Sequence, residues 1–400
     1  MSDTIRVGIL GASPERGWAA RAHIPALRAL PEFELTAVGT SRSESAWEAA
    51  RLFGAAHAFT DARQLAEHPE VDLVVITVKV PAHAELIRAA LAAGKHVYSE
   101  WPLTQTTQEA EALAGHAASA GVHHIVGLQA RFAPAIEQAR RLIAEGYVGE
   151  VLSATVYSAR GKGAGRRIPA WAAYTLDAGN GAGLLEVAGG HTLDPLEYLL
   201  GGIVEVSAEL SIRNPHNIIE ETGERVPVTS PDQLLLNARL ASGAVVSAHI
   251  HDAKLANGRT RIEISGTEGD LAIISDGPLA PGGIQMCDLR LLGAQGPGGL
   301  WRDITEADHH PAQQLPGEAR NVARLYRRVA EDIRTGQHTA PSFQRGLHMH
   351  RLLDTIRRSN STGTRLPITS QPQPGRTEQL PPGRTEQPQL GRTEEPALSR

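Results

Sequence analysis

Apolar residues follow two regimes along this 400-residue chain. Over the first third, short runs that are apolar at nearly every position alternate with longer amphipathic stretches. The runs are IRVGILG (5–11), ELTAVGT (34–40), VDLVVITV (71–78), KHVYS (95–99) and HHIVGL (123–128). Helical spacing between them predicts helices over 17–29, 43–53, 81–93 and 106–120. Strands that are apolar on both faces need cover on both sides. Their alternation with helices therefore predicts an α/β fold with a doubly wound parallel sheet.

Past about residue 130 the period changes. One more helix is expected over 133–145. Then VLSATVYSA, VEVSAELSI, QLLLNARLA, AVVSAHIHDA and RTRIEISG alternate with period two, punctuated by turn residues. This half reads as an α+β domain with a large antiparallel sheet. Helices are expected at about 183–200, 316–335 and 342–359. From about 367, PGRTEQLP, PGRTEQPQ and LGRTEEPA repeat every eight residues. These units have no apolar face to bury, so a disordered tail is expected. The expected division is 1–128, 129–366 and a tail over 367–400.

Composition narrows the function classes. Hydrophobic residues make up 41% and charged residues 21%, as in ordinary soluble proteins. A net charge of −5 gives no field for a polyanion, so no nucleic-acid partner is expected. The single cysteine, Cys287, excludes an internal disulfide framework and fits a reducing cytoplasm. MSDTIRVGIL lacks the pattern of a signal peptide, and no apolar run is long enough to span a membrane.

The stretch GILGASPERGW (8–18) joins the first strand to its helix. A small-residue turn there lets backbone N–H groups approach a pyrophosphate, helped by the helix N-terminus. Gly8, Gly11 and Gly17 are the candidate glycines, with Ala12 and Ser13 between them. The loop is longer than the usual G-x-G-x-x-G. At the end of the second strand, Thr40, Ser41 and Arg42 stand where NAD sites usually carry an acid. With no carboxylate to repel a 2′-phosphate, and Arg42 to pair with one, NADP is favoured over NAD.

Five segments in order carry a resemblance. They are the glycine turn with HIPAL (23–27), PAHAELIRAALAAGKHVYSEWPL (81–103), LQARFAPAIEQARRLIAEGYVGEV (128–151), GGHTLD (189–194) and SGTEGDL (265–271). From about 5 to 360 the chain resembles the glucose–fructose oxidoreductase / inositol dehydrogenase / MocA family. The resemblance implies a Rossmann domain followed by an α/β domain with an open antiparallel sheet. It implies NAD(P)-linked oxidation or reduction of sugars, cyclitols or related polyols, and dimers or tetramers formed through the open sheet. It places Trp18, Thr77, Val78, His83, Glu100, Trp101, Pro102 and Gln129 on the cofactor side. The family histidine matched by His83 is usually structural.

Two departures matter. The family's E-K-P reads Glu100-Trp101-Pro102, and tryptophan cannot carry a proton, though it can stack on a nicotinamide or sugar. The family's Asp, four residues before the motif histidine, is Val187. His191 remains as acid/base candidate, with Asp194 on the same helix face as a second member. Trp101 would form a wall of the site. GW at 17–18, LQAR at 128–131 and the helix GNG…GHTLD are similar to the subgroup holding the fungal galactose-pathway repressors. The alternative reading is therefore a non-catalytic nucleotide-reading regulator. Arg131 either clamps an anion or ties the domains together. Lys162, in the basic loop 159–174, is a candidate substitute for the lost lysine. Trp171 and Tyr174 offer stacking surfaces. His249 and His251 share a strand face but lack a third ligand, so no metal site is expected.

Overall fold

The computed structural model describes residues 4–368 apart from Arg16 and Gly163. Six strands, β1 (Ile5–Leu10), β2 (Phe33–Gly39), β3 (His57–Phe59), β4 (Leu73–Ile76), β5 (His96–Glu100) and β6 (His124–Gly127), form the first sheet. Their order is β3-β2-β1-β4-β5-β6, and every pair is parallel. Val7, Ile9, Leu73, Val74, Val75 and Ile76 are all fully buried, which is why these runs are apolar at successive positions. The order reverses between β1 and β4. A crevice opens there beyond the strand C-termini, and it is the place such sheets bind ligands.

Helices Ser43–Phe53, His83–Ala92, Thr107–Ala120 and Pro134–Ala144 lie where the pattern places them. The expected helix over 17–29 differs. It opens with a wide π turn, Ala19–His23, and continues as a short α-helix, Ile24–Arg28. Pro25 has no N–H to offer the Arg21 carbonyl, so the regular ladder is interrupted there. β3 and the helix Ala62–Glu67 were not expected from the sequence; they are three and six residues long, too short for a period to register.

The second sheet has nine strands. In spatial order they are Arg302–Asp303, Asp288–Gln295, Gly269–Asp276, Arg259–Gly266, Val151–Ala159, Val245–His251, Gln233–Leu240, Ile203–Ser211 and Leu366–Pro367. All pairs are antiparallel except the central one, Val151–Ala159 with Val245–His251. The long intervening chain makes that parallel pairing possible. Leu366 and Pro367 pair with Val206 and Glu205, and the Ile368 N–H donates to the Val204 carbonyl. Order therefore runs past the expected start of the tail at 367. The octad repeats lie outside the described residues.

Two late helices return to the first sheet. Gly317–Thr335 buries Val322, Ala323, Tyr326 and Val329 in the same core as Ala19, Ala22, Leu27 and Tyr98. Phe343–Thr362 packs Leu347, Leu352 and Leu353 in the core that holds Leu103 and Leu113. Among the described residues no helix is long and apolar enough to cross a membrane.

Candidate active site

The dinucleotide end is built by the β1 turn. Gly11 has φ +97, and a Cβ there would stand 2.9 Å from both the Thr77 hydroxyl and the Val78 side chain. Only glycine suits both constraints. Thr77 donates to the Leu10 carbonyl at 2.9 Å, tying the β4 end to the turn. A cavity of about 330 Å³ opens here, lined by Gly11, Ser13, Thr40, Ser41, Val78 and Leu86 among others. Its position at the sheet's switch point fits the adenosine half of a dinucleotide. Ala12 is buried under the turn, and Gly17 (φ +118) closes it. Two buried polar atoms have no hydrogen-bond partner, Trp18 Nε1 just past this turn and Gln129 Oε1 just after β6. Such atoms are costly unless a ligand or water meets them, so the residues present fit a nucleotide.

Arg42 lies exposed just before the helix Ser43–Phe53, and its guanidinium has no carboxylate partner among the described residues. Two expected cofactor residues serve the frame instead. Gly8 sits inside β1, and a Cβ there would meet Leu65 at 2.7 Å, so it allows helix–strand packing and does not reach the loop. His83 is buried with its ring between the Pro102 and Val78 carbonyls, at 2.9 and 3.0 Å. It braces the loop after β5, where the Trp101–Pro102 bond is cis.

Trp101 is also placed differently from expectation. Its Nε1 donates to the Glu186 carbonyl at 2.8 Å, and its ring lies 5.0 Å from that of His350. A Cβ on Gly190 would come within 2.3 Å of that nitrogen. The indole is thus buried between two helices, filling space rather than forming an open wall.

His191 follows a second π turn, Leu184–Gly189, at the start of the helix Gly190–Leu200. It is buried, and its Nδ1 has no partner. Burial lowers its pKa to about 4, with Glu100 and Asp194 opposing and Arg160 assisting. The ring is therefore neutral at physiological pH. Arg160 itself is held by a two-pronged pair to Asp252, at 2.7 and 2.8 Å.

Asp194 is held as a carboxylate by two arginines. Arg131 donates to both its oxygens, at 2.7 and 2.5 Å, and Arg345 adds a third bond at 2.7 Å. Burial pushes its carboxyl up, but the two guanidiniums outweigh this and hold it below the usual range. Arg131 therefore holds the segment just after β6 to the helix Gly190–Leu200. Lys162 lines a separate cavity of about 30 Å³ with Asn217, Ser230 and Asp232. Burial, then Arg160, lowers its pKa to about 8. That cavity includes neither His191 nor Trp101. Trp171 is exposed, and Lys79 covers the Tyr174 ring at 4.6 Å.

A chain of buried groups escaped the sequence reading. His23 Nδ1 lies 2.7 Å from the Tyr326 hydroxyl, and its Nε2 lies 3.0 Å from Glu100 Oε1. His23 belongs to the quoted HIPAL segment; Tyr326 is 303 residues away, and no local pattern joins them.

Residues 5–128 match the family described as "Oxidoreductase family, NAD-binding Rossmann fold", and residues 134–275 match "Gal80p, C-terminal domain". The chain is 28% identical to the "Galactose/lactose metabolism regulatory protein GAL80" of Saccharomyces cerevisiae, covering 92% of this chain and 95% of that protein. It is 33% identical to "Dehydrogenase aclE" of Aspergillus oryzae, covering 61% and 69%. Its fold is similar to that of levoglucosan dehydrogenase in complex with NADH and L-sorbose, with a TM-score of 0.79, 26% identity, and 92% and 99% coverage. The chain thus belongs to the glucose–fructose oxidoreductase / inositol dehydrogenase / MocA family of NAD-binding oxidoreductases.

Proposed function

We propose that this protein is an NADP(H)-dependent oxidoreductase acting on a hydroxyl-bearing carbon of a sugar, cyclitol or related polyol, with His191 as its one proton carrier. The observation that carries this is the unpartnered Nδ1 of a buried, neutral His191. Bound nicotinamide supplies the hydride acceptor or donor. His191 takes or returns the hydroxyl proton at Nδ1, and burial keeps the ring uncharged until then. Gln129 Oε1 and Trp18 Nε1 offer an acceptor and a donor to the bound molecules. Arg42 favours a 2′-phosphate, hence NADP.

The outer face of the nine-stranded sheet carries exposed Leu235 and Val245 beside Tyr157 and His249. A second copy covering that face completes the proposal as a homodimer or homotetramer. A reducing cytoplasm rests on the single cysteine, Cys287, whose buried thiol is pushed up to about 12 and so is unreactive.

A specific pair of observations favours a second reading, a nucleotide-reading regulator that binds another protein. Trp101 is fixed on the Glu186 carbonyl, and Asp194 is locked by two arginines, so the family's other proton carriers have no counterpart. His191→Asn separates the readings. In an enzyme it abolishes turnover and leaves NADPH binding intact. In a regulator the parent shows binding with no turnover to lose.

A further inference from the structure

Residues 57–70 hold a cluster that the dinucleotide site does not use. His57 on β3, His68 just after the helix Ala62–Glu67, and Glu70 converge at the sheet edge. One donor atom from each lies within 4.8 Å of the others. His57 Nε2 is 2.5 Å from Glu70 Oε2. The two imidazoles are 4.1 Å apart, tilted by 45°. His68 Nδ1 accepts the Glu70 N–H at 3.2 Å. The adjoining helix is capped separately by Asp61, so these side chains are not needed for its start.

We propose that His57, His68 and Glu70 form a surface site for a divalent first-row transition metal of the Zn²⁺ type. Two imidazole nitrogens and a carboxylate oxygen are a donor set for borderline ions, whereas Ca²⁺ and Mg²⁺ prefer all-oxygen shells. Metal–ligand bonds of about 2.0–2.2 Å in tetrahedral geometry separate donor atoms by about 3.3–3.5 Å. The His57–Glu70 separation of 2.5 Å is shorter than that value and all three donor atoms lie within 4.8 Å of one another, so small side-chain movements reach it. Glu70 is exposed and free to swing outward from His57. His68 gives up the long 3.2 Å bond, or changes tautomer, to offer a lone pair. Water takes the fourth position.

The site has a structural consequence that is independent of the enzymatic reading. The ion would clip the two ends of the 57–70 segment, whose Thr60 and Ala62 line the 330 Å³ cavity. Metal binding then stiffens the wall against which the adenosine half would lie.

The test uses the full chain, freed of metal with a chelator, titrated with Zn²⁺ by calorimetry and with Co²⁺ by visible absorption. The site takes one equivalent, and Co²⁺ shows the intense bands of tetrahedral coordination. His57→Ala and Glu70→Gln each weaken binding by at least ~10-fold, while the double substitution His249→Ala/His251→Ala leaves it unchanged. Melting of each variant in chelator confirms that the fold persists, and His68→Gln replaces either variant that fails this check. No binding at micromolar metal, or equal affinity in the cluster variants and the parent, overturns the proposal.

Discussion

Replacing Asp194 with Asn distinguishes a structural carboxylate from a catalytic one. In the parent this group is wholly buried and shared between Arg131 and Arg345, whose side chains are only 14% and 20% exposed. The amide keeps the volume and removes the charge, leaving two guanidiniums facing each other's field. Breaking a buried pair by neutralising one partner costs ~3–5 kcal/mol. Arg345 keeps Glu197 at 2.9 Å, which moves the expected loss to the lower end of that range. About 3 kcal/mol is a large part of a typical 5–15 kcal/mol total and lowers the melting temperature by roughly 4 °C, because ~2.1 cal/mol/K per residue amounts to ~0.8 kcal/mol/K for a chain of this length. The assay is a thermal melt at pH 7.5. The pH dependence supplies a second check. The folded carboxyl lies below its ordinary value, so its stabilisation is present above the unfolded pKa, about 4, and is lost as pH falls through the folded value. The variant should lack that loss. A variant that melts within 1 °C of the parent yet has no turnover (~1 °C is under 1 kcal/mol here) would show that Asp194 does chemistry after all.

Arg42→Ala should weaken NADPH binding by about 10-fold or more and leave NADH within about 2-fold, because only the 2′-phosphate loses a charge-assisted bond; equal losses for both nucleotides would contradict the NADP assignment. Trp101→Lys with Val187→Asp should raise turnover on simple sugars at least ~10-fold by restoring proton carriers, at a stability cost of ~3–5 kcal/mol from the space the indole leaves beside Gly190 and His350; unchanged turnover would mean that those groups are not what limits the chemistry. Burial holds His96, His124, His191 and His350 at about 4, well below the unfolded value. The unfolded chain therefore binds more protons between about pH 6.5 and 4, and stability should fall across that window as pH drops. Urea midpoints at pH 7.5 and 5 check the direction, and a flat profile would refute it.

Much of the fold is legible because burial writes itself into the period. The fully buried strand LVVI and the buried last four residues of IRVGIL carry apolar runs, and the helix Ser43–Phe53 carries a clear amphipathic spacing. β3 left no such trace because His57, Ala58 and Phe59 are all half-buried. The site was legible where local geometry dictates chemistry. Gly11 needs its positive φ, and Thr40 and Ser41 follow the end of β2 and line the cavity. It was illegible where the partner lies far along the chain. The spacing puts Asp194 on the His191 face, but Arg131 and Arg345, 63 and 151 residues away, claim the carboxylate. The Trp101 indole likewise answers to a carbonyl 85 residues on. No periodicity reports such pairings.

The most direct test is a fluorescence titration of the protein with NADPH and NADH, followed by absorbance at the reduced-nicotinamide band with sugars, cyclitols and their keto forms. The structure predicts saturable binding, tighter for NADPH, and turnover that His191→Asn removes without loss of binding. Binding with no turnover on any substrate would favour the regulator. Absence of binding by either nucleotide would contradict the assignment of the β1 turn and its cavity as a dinucleotide site.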